Sequence, residues 1–291
     1  MSYLSPLHIL ESIDINPDEL NAEGIIRLRK KLLADFNLSG EVTIDIGGKK
    51  YSKDEILKTI DKLKDLENLD SHLRIFQNKT LLNWIESPNP THFFKYDFIN
   101  FLKGKEQDPF YGDTVGLALF DFLFKKVKSR KFKDSSDVLV IITSLTYTDI
   151  SPYYDKLYNE IHFIVEDLST RAHASNVPMD KVNFRFIAEP DWADFLNYLP
   201  DGFEEIRNEY CRTAINYISV IHKSFAQFAY EINYMLTQTE CDYELKVLIE
   251  NNQKILDSNA SAGGGETSSW GYIKIILWVG FILFRMIACA T

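Results

Sequence analysis

Apolar residues recur at helical spacing in the first ninety residues. In Asn21–Phe36 they occupy one face, opposite Arg29 and Lys30, which predicts an amphipathic helix. The same spacing predicts a helix that begins after Ser52, a favoured N-cap residue. A further helix is predicted over Ser71–Trp84, just before a segment rich in proline.

A second pattern, strict alternation, interrupts these helices at Glu41–Ser52. Val42, Ile44 and Ile46 alternate with polar residues, and Gly47-Gly48 suits a two-residue turn, so the segment is predicted to be a β-hairpin. The glycines and the following lysines lack the spacing of a phosphate-binding loop. We therefore assign both glycines to the turn.

The middle of the chain is predicted to contain a strand, a helix and a second strand. Val138–Thr148 has seven β-branched residues in eleven, which favours a buried strand. Ser151-Pro152 opens a predicted helix to Leu168, and Val182–Ile187 alternates like a strand. This order is typical of a parallel crossover unit. Helices are predicted on both sides of it, over Thr114–Lys131, Phe203–Leu236 and Asp242–Leu256.

These elements predict a helix-rich mixed α/β or α+β soluble domain with a small N-terminal helical and hairpin subdomain. The double-proline segment Ser87–Pro90 suggests a boundary, giving subdomains 1–88 and 89–257. Residues 258–269 are rich in glycine and serine, as expected of a flexible linker. Residues 270–290 are predicted to form a single C-terminal transmembrane helix.

The prediction of a membrane anchor depends on how apolar residues 270–290 are. Ten Ile, Leu, Val and Phe residues there contribute about −3 to −6 kcal/mol to insertion. Lys274 and Arg285 oppose insertion, but they lie near the two ends and can extend to the headgroups. Trp278 and the rest of Ile275–Phe284 are expected to face lipid, because this run is apolar on every side. An interfacial helix is therefore disfavoured, whereas a buried core helix remains an alternative.

The amino-acid composition argues against several classes of function. The formal net charge of −10 and the pI near 5.2 argue against nucleic-acid binding, which needs a basic surface. Cys211, Cys241 and Cys289 are far apart in sequence, which supports neither a disulfide scaffold nor a thiolate zinc site. We expect no cofactor and no metal ion. The first fifteen residues lack the pattern of a secretory signal, so we expect the N-terminal part in the cytoplasm.

Acidic residues follow both predicted strands. Asp149 follows the first strand, and Glu189 and Asp191 follow the second, so a crossover would bring them to one sheet edge. Carboxylates there could hold a cation or act as acid and base. The structural alternative is that Asp149 and Asp191 begin a turn and a helix.

Two further groups combine charge with helical spacing. His162 and Glu166 lie four residues apart and could share a face, but one His and one carboxylate are too few ligands for a metal. A basic run could face anionic lipid or could simply end a solvated helix. This run comprises Lys125, Lys126, Lys128, Arg130, Lys131 and Lys133.

The leading hypothesis is a tail-anchored, single-pass membrane protein whose cytoplasmic domain binds a protein partner as an adaptor or scaffold. Its partners would be membrane lipid, through the C-terminal helix, and a protein; homo-oligomerisation is left open. The first alternative is a membrane-perturbing effector whose anchors cluster under control of the soluble domain. The second alternative is an enzyme that uses the acidic loops, although the sequence contains no recognised catalytic motif.

Overall fold

A computed structural model describes residues 3–17, 20–40, 42–46, 49–64, 68–87, 90–172 and 183–261. Thirteen helices and a two-stranded sheet occupy these ranges. The helices of the first half are α1 Pro6–Ser12, α2 Ala22–Ser39, α3 Lys53–Asp61, α4 Leu69–Gln77, α5 Lys79–Glu86, α6 Lys95–Leu102 and α7 Leu117–Lys128. Those of the second half are α8 Ser135–Ser144, α9 Ser151–Ala172, α10 Pro190–Asn197, α11 Glu204–Ile221, α12 Ala226–Gln238 and α13 Tyr243–Ser261. The strands are β1 Thr43–Ile46 and β2 Lys49–Ser52.

The chain divides into two compact units. Unit 1 comprises Met1–Phe122 with Ser144–Thr148, and unit 2 comprises Leu123–Thr143 with Asp149–Thr291. The division falls inside α7 and not at the predicted boundary between residues 88 and 89. Pro88 and Asn89 themselves lie outside the described residues.

In unit 1 the hairpin and the helices predicted at α2 and α3 are confirmed, whereas the helix predicted over Ser71–Trp84 is divided at Asn78 into α4 and α5. Asn21 caps α2, since its side-chain oxygen accepts a hydrogen bond from the Gly24 amide at 2.8 Å. Ser52 caps α3 in a reciprocal capping box with Glu55. The two strands pair antiparallel with Ile46 opposite Lys49, whereas Gly47 and Gly48 lie outside the described residues. Apolar faces of α1, α2 and α3 form the core with the hairpin.

A π-helical turn at Gly112–Gly116 precedes α7 and receives the Tyr147 side chain. A Cβ added at Gly116 would lie 2.4 Å from the Tyr147 hydroxyl, and one at Gly112 would lie 1.9 Å from the Thr146 carbonyl oxygen. Thr148 anchors the same segment, because its amide donates to Asp113 Oδ1 at 3.1 Å. Glycine is therefore required at both positions for this close approach.

The described residues of unit 2 form helices joined by turns and short connections, and no strand is found among them. Helices α9 and α11 pack along each other, and α12 packs on both α11 and α13. Aromatic side chains fill the space beside α10: the Phe132 ring lies 4.5 Å from that of Trp192 and 5.2 Å from that of Phe195, between centroids. The predicted helix over Phe203–Leu236 is divided into α11 and α12 by a turn at residues 222–225.

The predicted strand at Val138–Thr148 is wrong, because residues 135–144 form helix α8. Val138, Ile141 and Ile142 are buried, whereas Val140 is 39% exposed. Burial at positions i, i+3 and i+4 is helical, and a strand would have sent Ile141 and Ile142 to opposite faces. Tertiary packing thus outweighs the weak preference of β-branched residues for strands.

The second predicted strand, Val182–Ile187, is also wrong. The described part of this segment leads into a 3₁₀ turn at Arg185–Ala188, while Val182 lies outside the described residues. Phe184, Phe186 and Ile187 are all buried, so the sequence alternation did not mark one buried face. Within the described residues neither segment forms a strand and no parallel crossover is found, so the mixed α/β expectation reduces to a helix-rich fold with a small two-stranded sheet.

Helix α13 continues to Ser261 and so includes the first four residues of the predicted linker 258–269. The rest of the predicted linker and the predicted membrane helix 270–290 lie outside the described residues. Among the helices in the described ranges, none is both long and apolar enough to cross a bilayer.

Candidate functional site

In the part of the chain that the structure describes, no sheet edge brings the predicted acidic residues together. Asp149 is exposed and accepts a hydrogen bond from the Ser151 amide at 3.1 Å, as expected of a residue that begins a turn into a helix. Glu189 is the N-cap residue of α10 without a capping side-chain bond, and Asp191 lies in the first turn of that helix. Each carboxylate therefore has a position at a helix start. A catalytic role for the three stays a prediction.

In the structure, the imidazole of His162 lies near two carboxylates, one more than the sequence spacing predicted. Its Nε2 lies 3.4 Å from Glu166 Oε1 on α9, and its Nδ1 lies 3.5 Å from Glu209 Oε2 on α11. The residues that the structure describes nevertheless include no group of three His, Cys, Asp or Glu placed to hold a metal ion. The arrangement links α9 to α11 through a partly exposed polar contact.

The basic run divides into fixed and exposed side chains. Arg130 lies 2.5 Å from Asp167 Oδ2, and Lys126 lies 3.5 Å from Asp134 and donates to the Lys133 carbonyl at 2.7 Å. Lys125, Lys128, Lys131 and Lys133 are exposed. Two of the six cations thus have structural roles, and lipid contact by the exposed ones stays a prediction. Lys274, Trp278 and Arg285, predicted at the membrane, lie outside the described residues.

Several side chains of unit 2 bond to the connection between α12 and α13, residues Gln238–Asp242, which we call the clamped connection. The Asn197 side chain holds it from α10, donating to the Gln238 carbonyl at 2.8 Å and accepting from the Glu240 amide at 2.7 Å. A single amide thus bonds two backbone positions of the connection. These bonds replace the ladder or helix partners that a loop lacks.

Helix α11 holds the same connection from the other side. The buried Asn208 side chain accepts from the Asp242 amide at 2.9 Å. Arg212 lies 3.7 Å from the Asp242 carboxylate, and Arg207 lies 4.0 Å from that of Glu240. Side chains of α11 therefore contact residues on both sides of Cys241.

Two buried or partly buried cations stabilise the carbonyl groups around the connection. Arg207 donates to the carbonyls of Leu196 and Leu199, each at 3.3 Å, and so ties the end of α10 to α11. Lys246 reaches back from α13 and donates to the Thr239 carbonyl at 3.3 Å and to that of Thr237. Cations near helix C-termini are favoured, because the last carbonyls lack helical partners.

Cys211 and Cys241 meet at the clamped connection. Cys211 is fully buried in α11, whereas Cys241 is partly exposed. Hydrogen bonding with Cys241, followed by burial, raises the pKa of the Cys211 thiol. The pKa of Cys241 is lowered, because its sulfur accepts the hydrogen bond and Lys246 lies nearby.

Sequence reasoning missed this site because its members are separated along the chain. Asn197, Asn208 and Asp242 have no shared period, and the cysteines are thirty residues apart. The one available signal was the presence of asparagine within amphipathic helices, where its low helix propensity calls for a specific partner. The asparagines therefore indicate which helix positions need a hydrogen-bond partner, but they do not predict which loop supplies it.

Unit 1 contains a second buried polar group. Tyr3 Oη and His72 Nδ1 are hydrogen-bonded at 2.7 Å, and the Ser5 amide donates to Glu86 Oε1 at 2.8 Å. His8 Nε2 lies 3.3 Å from the other Glu86 oxygen. Burial, aided by the nearby Lys62 charge, lowers the pKa of His72 to about 4. These contacts fix the chain's first described residues to α4 and α5.

No protein-family model, curated protein or solved structure matches this chain. Neither the fold nor the clamped connection therefore inherits a function from a relative.

Proposed function

We propose that the chain is a binding protein of the adaptor or scaffold class, held at a membrane by residues 270–290 with its helical units in the cytoplasm. The observation that carries the proposal is the apolar run Ile275–Phe284, which is apolar on every side of a helix and has charges only beyond its ends. Such a run is unfavourable on the surface of a soluble protein, because exposing its apolar side chains to water costs free energy.

The partner surface we propose is the clamped connection with its two bordering tyrosines. Tyr198 follows Asn197 and is 52% exposed, and Tyr243 follows Asp242 and is 83% exposed. Glu240 and Asp242 of the same connection have side chains that are 71% and 44% exposed, respectively. Tyrosines with carboxylates suit a basic protein segment, through cation–π contacts and charge attraction.

Membrane attachment is tested by flotation of the full chain with vesicles after alkaline extraction. Leu277→Asp with Phe281→Asp, the anchor variant, places two charges in the apolar run and should release the protein to the soluble fraction. Ser268→Asp with Ser269→Asp adds the same charge outside the run and should leave attachment unchanged. Release of the unaltered chain by alkali would contradict the proposal.

Partner binding is tested by photo-crosslinking in membranes. A benzophenone amino acid at Tyr243 should yield a discrete crosslinked product, and Glu240→Lys should diminish it by charge repulsion of a basic segment. The same probe at Tyr96, 76% exposed in unit 1, is the matched control. Equal products from both positions would contradict a specific surface at the clamped connection.

The membrane-perturbing alternative predicts a different outcome. Clustered anchors would let ions or dye leave vesicles, whereas a passive anchor would not. Dye retention by vesicles that carry the full chain supports the adaptor, and leakage abolished by Arg285→Leu would favour the effector.

A further inference from the structure

The contacts of the clamped connection place Cys241 against one turn of α11. Asp242 bonds to Asn208 and Arg212, and Glu240 faces Arg207. On a helix, residues three and four apart share a face, so Asn208, Cys211 and Arg212 lie together. Cys241, between the two anchored acidic residues, is thereby held beside Cys211.

The two thiols differ in access. Cys211 is fully buried, whereas Cys241 is partly exposed and within reach of a small oxidant. Lys246, Arg212 and Asp242 are the charged groups that act on the pair, and the Lys246 ammonium favours a thiolate at Cys241. An accessible thiol whose pKa is lowered, beside a sheltered thiol, is the arrangement of an oxidation-sensitive pair with a resolving cysteine.

We propose that Cys211 and Cys241 form a reversible intramolecular disulfide, which makes the clamped connection a thiol-oxidation site. The oxidant is a hydroperoxide. Asp242, next to Cys241, contacts Asn208 and Arg212 on either side of Cys211, so the two sulfurs are near enough to approach to the S–S length of about 2.05 Å.

The chemistry proceeds in two steps. The Cys241 thiolate attacks one peroxide oxygen, the O–O bond breaks, and a sulfenic acid and hydroxide are formed. Cys211 then gives up its proton, and its sulfur attacks the Cys241 sulfur; the S–O bond breaks and water leaves. The peroxide is reduced by two electrons, and the two thiols are oxidised to one disulfide. A dithiol reductant reverses the change by thiol–disulfide exchange.

Oxidation would replace a polar attachment by a covalent one. Residues 211 and 241 enclose all of α12, so the disulfide would tie the segment after α12 to α11, to which the start of α12 is already joined by the turn at residues 222–225. The disulfide lies within the proposed partner surface but does not depend on it, since the bond forms whether or not a partner binds.

The test uses the unaltered full chain in detergent. The folded protein is treated with hydrogen peroxide, remaining thiols are blocked with a maleimide, and peptides are mapped by mass spectrometry without reduction. We expect a Cys211–Cys241 crosslinked peptide, the loss of both of these thiols, and their full recovery with dithiothreitol. Persistence of both thiols, or oxidation of Cys241 to sulfinic acid without a crosslink, would overturn the proposal.

Single substitutions then test the order of the steps. With Cys211→Ser, Cys241 should accumulate as a sulfenic acid that reacts with dimedone, because nothing resolves it. With Cys241→Ser, Cys211 should react with peroxide at least about tenfold more slowly, because it is buried. Circular dichroism checks that each variant is folded, and a disulfide of Cys241 with Cys289 in the unaltered chain would contradict the assignment of the resolving cysteine.

Discussion

Arg130 lies 2.5 Å from the Asp167 carboxylate and thereby fastens the end of α7 to α9. Arg130 has a positive φ of 56°, and it ends α7 in a Schellman motif, with Lys131 N bonded to the Lys126 carbonyl. Glycine is usual at this position, since a side chain is disfavoured there. Its guanidinium also lies over the Phe184 ring at 5.0 Å, so contacts with both Asp167 and Phe184 offset the backbone cost.

The first prediction concerns this contact. Arg130→Ala should lower the free energy of unfolding by about 1–3 kcal/mol, because it removes a charge-assisted hydrogen bond in a partly buried place. Lys131→Ala, one residue later and exposed, should change stability by less than about 0.5 kcal/mol. Chemical denaturation of both variants measures the difference. Equal effects would mean that the Arg130–Asp167 contact contributes nothing beyond surface charge.

The second prediction concerns the exposed part of the basic run. In the anchor variant, replacing Lys125, Lys128 and Lys131 by Gln should weaken binding to anionic vesicles by about 100-fold, at about 1 kcal/mol per cation. Replacing the exposed Lys30, Lys31 and Lys58 of unit 1 by Gln makes the same change in net charge. Co-sedimentation with vesicles distinguishes the two. If both triple variants bind equally, the run has no special role at the membrane.

The third prediction concerns the glycines beneath Tyr147. Gly116→Ala should destabilise unit 1 by about 1–3 kcal/mol, because the new methyl group would overlap the Tyr147 ring. Gly112→Ala should cost at least as much, since it meets a backbone oxygen. Gly202→Ala has open space and is the control. Thermal unfolding that ranks Gly202→Ala with the other two would contradict the close approach.

The fourth prediction separates helix from strand at residues 138–142. Ile141→Asp and Ile142→Asp should both unfold unit 2, because an uncompensated buried carboxylate costs several kcal/mol. Val140→Asp, at a 39% exposed position, should be tolerated. Limited proteolysis and circular dichroism report the result. Tolerance of Ile142→Asp would be the signature of a strand with one solvent-facing side.

Local features of the fold could be predicted from the sequence, whereas the helix at residues 138–142 could not. Ser52 was recognisable as a cap because capping is a local interaction, formed within four residues of the cap. The helix at Val138–Ile142 was not recognisable, because its many β-branched residues indicated a strand. They outweighed the helical i, i+3, i+4 spacing of the residues that become buried by long-range packing. The clamped connection could not be predicted either, because Asn197 and Asn208 form hydrogen bonds with residues more than thirty positions away in the sequence.

The last prediction is a dependence of stability on pH that arises from His72. Its pKa is about 4 in the folded protein, below the ordinary value of 6.5, because the imidazole is buried. The unfolded chain therefore binds more protons between those two values, so stability is complete above pH 6.5 and declines as the pH falls towards 4. The difference of about 2.5 units corresponds to a loss of about 3 kcal/mol.

His72→Asn keeps an acceptor for the Tyr3 hydroxyl and removes the titrating ring. Denaturation between pH 7 and pH 4 should show a shallower decline for this variant than for the unaltered chain. His92→Asn removes an exposed histidine in the same unit and should leave the slope unchanged. Parallel slopes for the unaltered chain and His72→Asn would show that acid acts elsewhere, whereas convergence of their stabilities near pH 4 would identify His72 as the group whose protonation opposes folding.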